Sequence, residues 1–107
     1  MLKDQQDIIN IKIVITLRIL LNKNKDLSIS KKEKIQKDIP QSYSDIASKA
    51  AIRKATVTNA FNVDGSSLST TLLKIIFALG YTLVDFGKVY DTITESDVID
   101  FLSEKKN

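Results

Sequence analysis

The sequence contains neither cysteine nor histidine. Without cysteine there are no disulfides and no thiolate metal sites. Without histidine it lacks the commonest metal ligand and the commonest general base. The carboxylates are scattered, and no nucleophile stands beside a base, so the residues predict neither an enzyme nor a bound metal or cofactor. One proline and three glycines leave little material for extended linkers. Long hydrophobic runs are also missing. The most apolar stretch, IINIKIVITLRILL at residues 8–21, is fourteen residues long and carries Asn10, Lys12, Thr16 and Arg18. That is too short and too charged to span a membrane. No small-residue cleavage site follows it, which argues against a signal peptide. The expectation is a cytoplasmic protein with no membrane partner.

What remains is a chain of 107 residues with 43% hydrophobic content, enough for one self-folding domain. The formal charge is +3, and its distribution says more than its size. Residues 1–39 hold nine basic and five acidic side chains, and residues 40–80 hold four and two. Residues 81–107 reverse the balance with three basic and six acidic. A basic body with an acidic tail suits a surface that meets phosphate at one end and not at the other, although an ordinary solvated surface would also look this way.

Residues 43–62 carry the clearest pattern. Ile46, Ala47 and Ala50 share one face of a helix, and Val57, Ala60 and Phe61 share one face of another. Ala47, Ala50 and Ala60 supply only methyl groups where two short helices would cross closely. Between them the link is short and contains Ala51-Ile52, expected as a buried plug. This is the spacing of a helix-turn-helix. Ser42 or Ser44 would cap the first helix, where a hydroxyl and free N–H groups also make a phosphate seat. The second helix, from Arg53 or Lys54 to Asn62, would turn Lys54, Ala55, Thr58 and Asn59 outward. Asn59 can donate and accept in one plane, matching N6 and N7 of adenine, and Lys54 can donate to guanine or to a phosphate. The methyls of Ala55 and Thr58 can touch a thymine methyl. For each residue alone, a solvated helix face is about as good an account.

The same residues resemble the helix-turn-helix of the lambda-repressor-like (Cro, XRE) DNA-binding family. Ile46-Ala47 matches its Leu-Ala, Ala51-Ile52 its Gly-Val turn, and Thr56-Val57-Thr58 its Thr-Ile-Ser. The run from Ser67 to Gly80, ending Ala78-Leu79-Gly80, is similar to the helix that follows. The likeness covers about forty residues. It departs at Ala51, where the family has glycine, and at Tyr43, where it has glutamine. The resemblance implies an all-α bundle with the motif at 43–62, a following helix at 67–80 and a first helix at 8–21. It implies a sequence-specific regulator of transcription, bound to double-stranded DNA as a homodimer whose recognition helices stand about 34 Å apart. Base edges would be read by Lys54, Ala55, Thr58 and Asn59. Phosphates would be held by Tyr43, Ser44, Arg53, Thr56, Asn62 and Ser66.

The other segments are read around this motif. Residues 8–21 alternate as a strand would, yet Ile13, Leu17, Leu20 and Leu21 also share a helical face, and the resemblance selects helix. Its surplus apolar surface would lie in a dimer interface or under the C-terminal segment. Residues 22–41 form an insertion in which a short basic helix at 30–37, capped by Ser28 or Ser30, could reach a second phosphate; a solvated lysine-rich loop fits as well. Asp64-Gly65 signals a turn, and Ser67 is a candidate N-cap for a helix burying Leu68, Leu72, Ile75, Ile76 and Leu79. Residues 81–90 read as extended, with Leu83 and Phe86 packed inward. Thr94 opens a last helix to Glu104 with Asp97 as capping partner and Val98, Ile99, Phe101 and Leu102 as its apolar face. Two alternatives accompany the leading function: the DNA-binding antitoxin of a toxin–antitoxin pair, partnered by a toxin protein, and a protein-interaction module that never meets DNA.

Overall fold

The computed structural model describes residues 5–30, 39–62 and 68–106, and everything that follows concerns these residues. They form six helices and no strand: α1 (Gln5–Ser30), α2 (Tyr43–Ala50), α3 (Lys54–Ala60), α4 (Ser69–Ala78), α5 (Leu83–Thr92) and α6 (Glu95–Lys106). None of the helices is long and apolar enough to cross a membrane.

α1 is the spine. Ile11, Val14, Leu17, Leu20, Leu21 and Asn24 are all buried, a spacing of three and four that only a helix can satisfy. The β-branched residues of this stretch disfavour a helix by a few tenths of a kcal/mol each. Burying a side chain such as Leu17 or Leu20 contributes about 1.5–3 kcal/mol, so packing decides the outcome. The helix continues well past residue 21 to Ser30, so the first part of the expected insertion is helical. The basic helix expected at 30–37 falls almost wholly outside the described residues.

Two apolar clusters share this spine. The larger joins Leu17, Leu20 and Leu21 to Ile46, Ala47, Val57, Ala60, Phe61, Ile75, Ile76, Leu79 and Phe86. The smaller joins Ile11 to Ile93 and Val98, with Ile15, Ile19, Phe101 and Leu102 packed against them. The C-terminal segment therefore covers the surplus apolar face of α1.

The segment expected to be extended at 81–90 is helical instead, as α5. Its start is fixed by a reciprocal cap: Asp85 N–H donates to the Thr82 hydroxyl at 3.1 Å, and Thr82 N–H donates to the Asp85 carboxylate at 2.8 Å. The Thr82 backbone N–H first, and then the Thr82 side chain, hold the Asp85 carboxyl below its ordinary range. Thr94 and Asp97 repeat the device at the start of α6, as the sequence suggested. Three residues expected in the core are exposed instead. Leu68 stands just before α4 as its N-cap, and Leu83 and Ile99 lie on the outer faces of α5 and α6. Ser67, expected to cap α4, lies outside the described residues.

A buried polar knot joins three segments. The Asn24 amide donates to the Pro40 carbonyl at 3.0 Å and to the Leu79 carbonyl at 3.1 Å, and its oxygen accepts from the Tyr81 hydroxyl at 2.9 Å. Burial, and then the nearby Asp85 carboxylate, push the Tyr81 hydroxyl above its ordinary value. Asn24 occupies the stripe position after Leu17, Leu20 and Leu21. A polar residue on that apolar face is the sequence signal for this knot.

Candidate nucleic-acid interface

α2 begins at Ser42, whose hydroxyl accepts from Asp45 N–H at 3.1 Å; Ser44 lies inside the helix and is exposed. The end of α2 is closed by two bonds, from Ile52 N–H to the Ala47 carbonyl and from Ala51 N–H to the Ser48 carbonyl. This crossed pair needs a left-handed residue, and Ala51 takes that conformation, with φ 59° and ψ 47°. The alanine in the glycine position is therefore accommodated by strain of about 1–2 kcal/mol. Ala51 is exposed and Ile52 half-buried, so the link is not the buried plug expected of it.

α3 is a poor helix on its own. It has seven residues, two threonines and a valine, and its N-cap Arg53 makes no side-chain cap bond. It persists because Val57, Ala60 and Phe61 are buried against the rest of the molecule. α2 packs against both α3 and α4, and Tyr43 of α2 lies over Phe61 with ring centroids 4.7 Å apart.

The inward residues of α3 define its outward ones. Lys54, Ala55 and Asn59 are exposed, and Thr58 is half-exposed. Thr58 donates its hydroxyl proton to the Lys54 carbonyl at 3.0 Å, which leaves its oxygen as an acceptor and its methyl free for apolar contact. The four residues expected to face bases thus lie on one short helix, none of them buried. Of the residues expected at phosphates, Ser44 and Arg53 are exposed, while Thr56 and Asn62 are half-buried. Tyr43 is half-buried with its ring committed to Phe61. Ser66 lies outside the described residues.

Arg18 was read only as a charge interrupting an apolar run. It reaches from α1 to the end of α3, donating to the Phe61 carbonyl at 2.9 Å, with its guanidinium 5.0 Å from the Phe101 ring centre. It thereby fixes the trailing end of α3 against both α1 and α6. No group of three or more acidic side chains among the described residues is arranged to hold a metal.

Compared with models of known protein families, with curated proteins and with solved structures, the chain matches none.

Proposed function

We propose that the protein binds double-stranded DNA in a sequence-dependent manner, with α2, the turn at Ala51 and α3 acting as a helix-turn-helix of lambda-repressor-like type, and that it regulates transcription. The observation that carries this reading is the polar face of α3. Lys54, Ala55, Thr58 and Asn59 stand outward together on a helix braced from behind by Val57, Ala60 and Phe61.

In this reading Lys54 and Asn59 contact base edges, Arg53 and Ser44 hold phosphates, and two copies occupy a palindromic site. The test is a binding titration on the DNA upstream of the protein's own gene, with random duplex as control, at two salt concentrations. Asn59→Ala is expected to lower preference for the specific site by about 1–3 kcal/mol while leaving random-DNA affinity nearly unchanged. Arg53→Ala is expected to reduce the slope of log affinity against log salt by about one, as the loss of one phosphate contact would. Equal loss on both DNAs from Asn59→Ala would move that residue to backbone contact.

A second reading is favoured by a different observation. Phe77, Leu83 and Val84, at the end of α4 and the start of α5, are large, apolar and more than half exposed. Such side chains suit a protein partner, whether a second copy or the toxin of an antitoxin pair. A module that used only this surface would bind its partner with little dependence on salt and would leave random and specific DNA alike unbound.

A further inference from the structure

Arg18 sits on α1 at the seam between the two apolar clusters. Leu17 and Leu21 belong to the larger, and Ile15 and Ile19 pack against the smaller. Its guanidinium reaches one residue of each. It donates at 2.9 Å to the carbonyl of Phe61, a member of the larger cluster. It also lies 5.0 Å from the ring centre of Phe101, which packs against the smaller. Phe61 ends α3 and Phe101 stands on α6. One side chain thus joins two helices that dock in different places, α3 chiefly on α2 and α6 chiefly on α1.

The end of α3 depends on help from outside. The last carbonyls of a helix have no partner within it, and a cation there offsets the negative end of the helix dipole. The last turn of α3 contains no basic side chain. Arg18 brings both the donor and the charge from α1. A guanidinium stays protonated throughout the range in which proteins are folded, so titration does not remove this cap. Held by the carbonyl alone, an arginine so open to water would keep much of its rotamer freedom. The Phe101 ring narrows that freedom. Its face attracts the flat cation and leaves the N–H groups at the cation's edge free to point at the carbonyl.

We propose that Arg18 is a relay between α6 and α3. Docking of α6 on α1 brings the Phe101 ring against the guanidinium, and the ordered guanidinium pins the trailing end of α3. Lifting α6 removes the ring and loosens the last turn of α3 without altering a residue of α3 itself. The relay belongs to the folded chain and does not require α3 to meet DNA. Where α3 acts as proposed above, it makes the order of the reading helix depend on whether α6 is seated.

Amide hydrogen exchange of the full chain, without DNA, tests the relay. The reporters are the Phe61 and Asn62 amides, which close α3 on the carbonyls of Val57 and Asn59. Those of Ile75 and Ile76, fully buried in α4, follow the rest of the core. Phe101→Leu keeps an apolar side chain over the smaller cluster but has no ring face. It is expected to speed exchange at Phe61 and Asn62 by about two- to fivefold, the scale of one exposed cation–ring contact, with Ile75 and Ile76 unchanged. Arg18→Gln is expected to speed the same two amides at least as much. The double variant is expected to add nothing to Arg18→Gln, because the ring acts through the guanidinium. Phe101→Tyr restores a ring and is expected to exchange like the wild-type chain. Unchanged Phe61 and Asn62 amides in Phe101→Leu overturn the relay, above all if the amides of α6 open in that variant. Single effects that multiply in the double variant overturn it too, since ring and guanidinium would then act separately. An equal rise at Ile75 and Ile76 is a general loss of stability and counts against it in the same way.

Discussion

Two residues outside the core take left-handed backbone, and they make a natural pair. Ala51 closes α2 at φ 59°, and Gly80 closes α4 at φ 95° with the same crossed bonds, from Tyr81 N–H to the Ile76 carbonyl and from Gly80 N–H to the Phe77 carbonyl. A Cβ added at Gly80 would meet nothing within 4 Å, so only the backbone opposes it. Gly80→Ala is therefore expected to destabilise by about 1–2 kcal/mol. Ala51→Gly is expected to stabilise by about 0.5–1 kcal/mol, the relieved strain less the flexibility glycine adds to the unfolded chain. Urea unfolding of the two variants measures both. The Asn24 knot makes a separate prediction. Tyr81→Phe strands the buried Asn24 oxygen and is expected to cost about 1–3 kcal/mol in the same assay. Because the Tyr81 hydroxyl titrates above its ordinary 10.0 in the folded protein, its contribution is whole below that pH and is lost as pH rises through the higher folded value. The wild-type chain should thus lose stability on the alkaline side more steeply than Tyr81→Phe. Asp85 works the other way: held below its ordinary 3.8, it contributes above that pH and is lost as the medium becomes more acid.

Among the elements, α2 and α3 were the most legible, because close helix contact admits few side chains and the sequence supplies them in order. Ala47 is buried within the larger cluster, and Ala47→Leu is expected to cost about 1–3 kcal/mol by overpacking, measured as a lowered urea midpoint with an unchanged m-value. The cap at Thr94 was legible for a similar reason, a hydroxyl with a carboxylate three residues on, whereas the start of α2 stayed open between Ser42 and Ser44 until the Asp45 N–H bond to Ser42 decided it. What misled was local chemistry read without its tertiary partner. Residues 81–90 carry Gly87, two valines and two tyrosines, a composition that leans toward extended chain. The reciprocal cap of Thr82 and Asp85, and the burial of Phe86 in the larger cluster, outweigh it. Leu68 and Ile99 were assigned to the core by periodicity, which gives the face of a helix but not how far the neighbouring element reaches.

At the level of the whole molecule, α3 lies in a part of the sequence with more basic than acidic side chains, while α6 carries Glu95, Asp97, Asp100 and Glu104. α6 touches the rest chiefly through α1, over the smaller cluster, where Val98 is fully buried. Val98→Asp is expected to lift α6 from α1 and leave Ile11, Ile15 and Ile19 uncovered, seen as self-association in light scattering at concentrations where the wild-type chain stays unchanged. That cluster also has a consequence in time. Its two halves lie about eighty residues apart, so the greasy flank of the first helix leaves the ribosome well before Ile93 and Val98, which cover it, have been synthesised. During that interval the nascent protein is a natural client for chaperones, and a pause in synthesis before residue 93 would be the costliest place to stall.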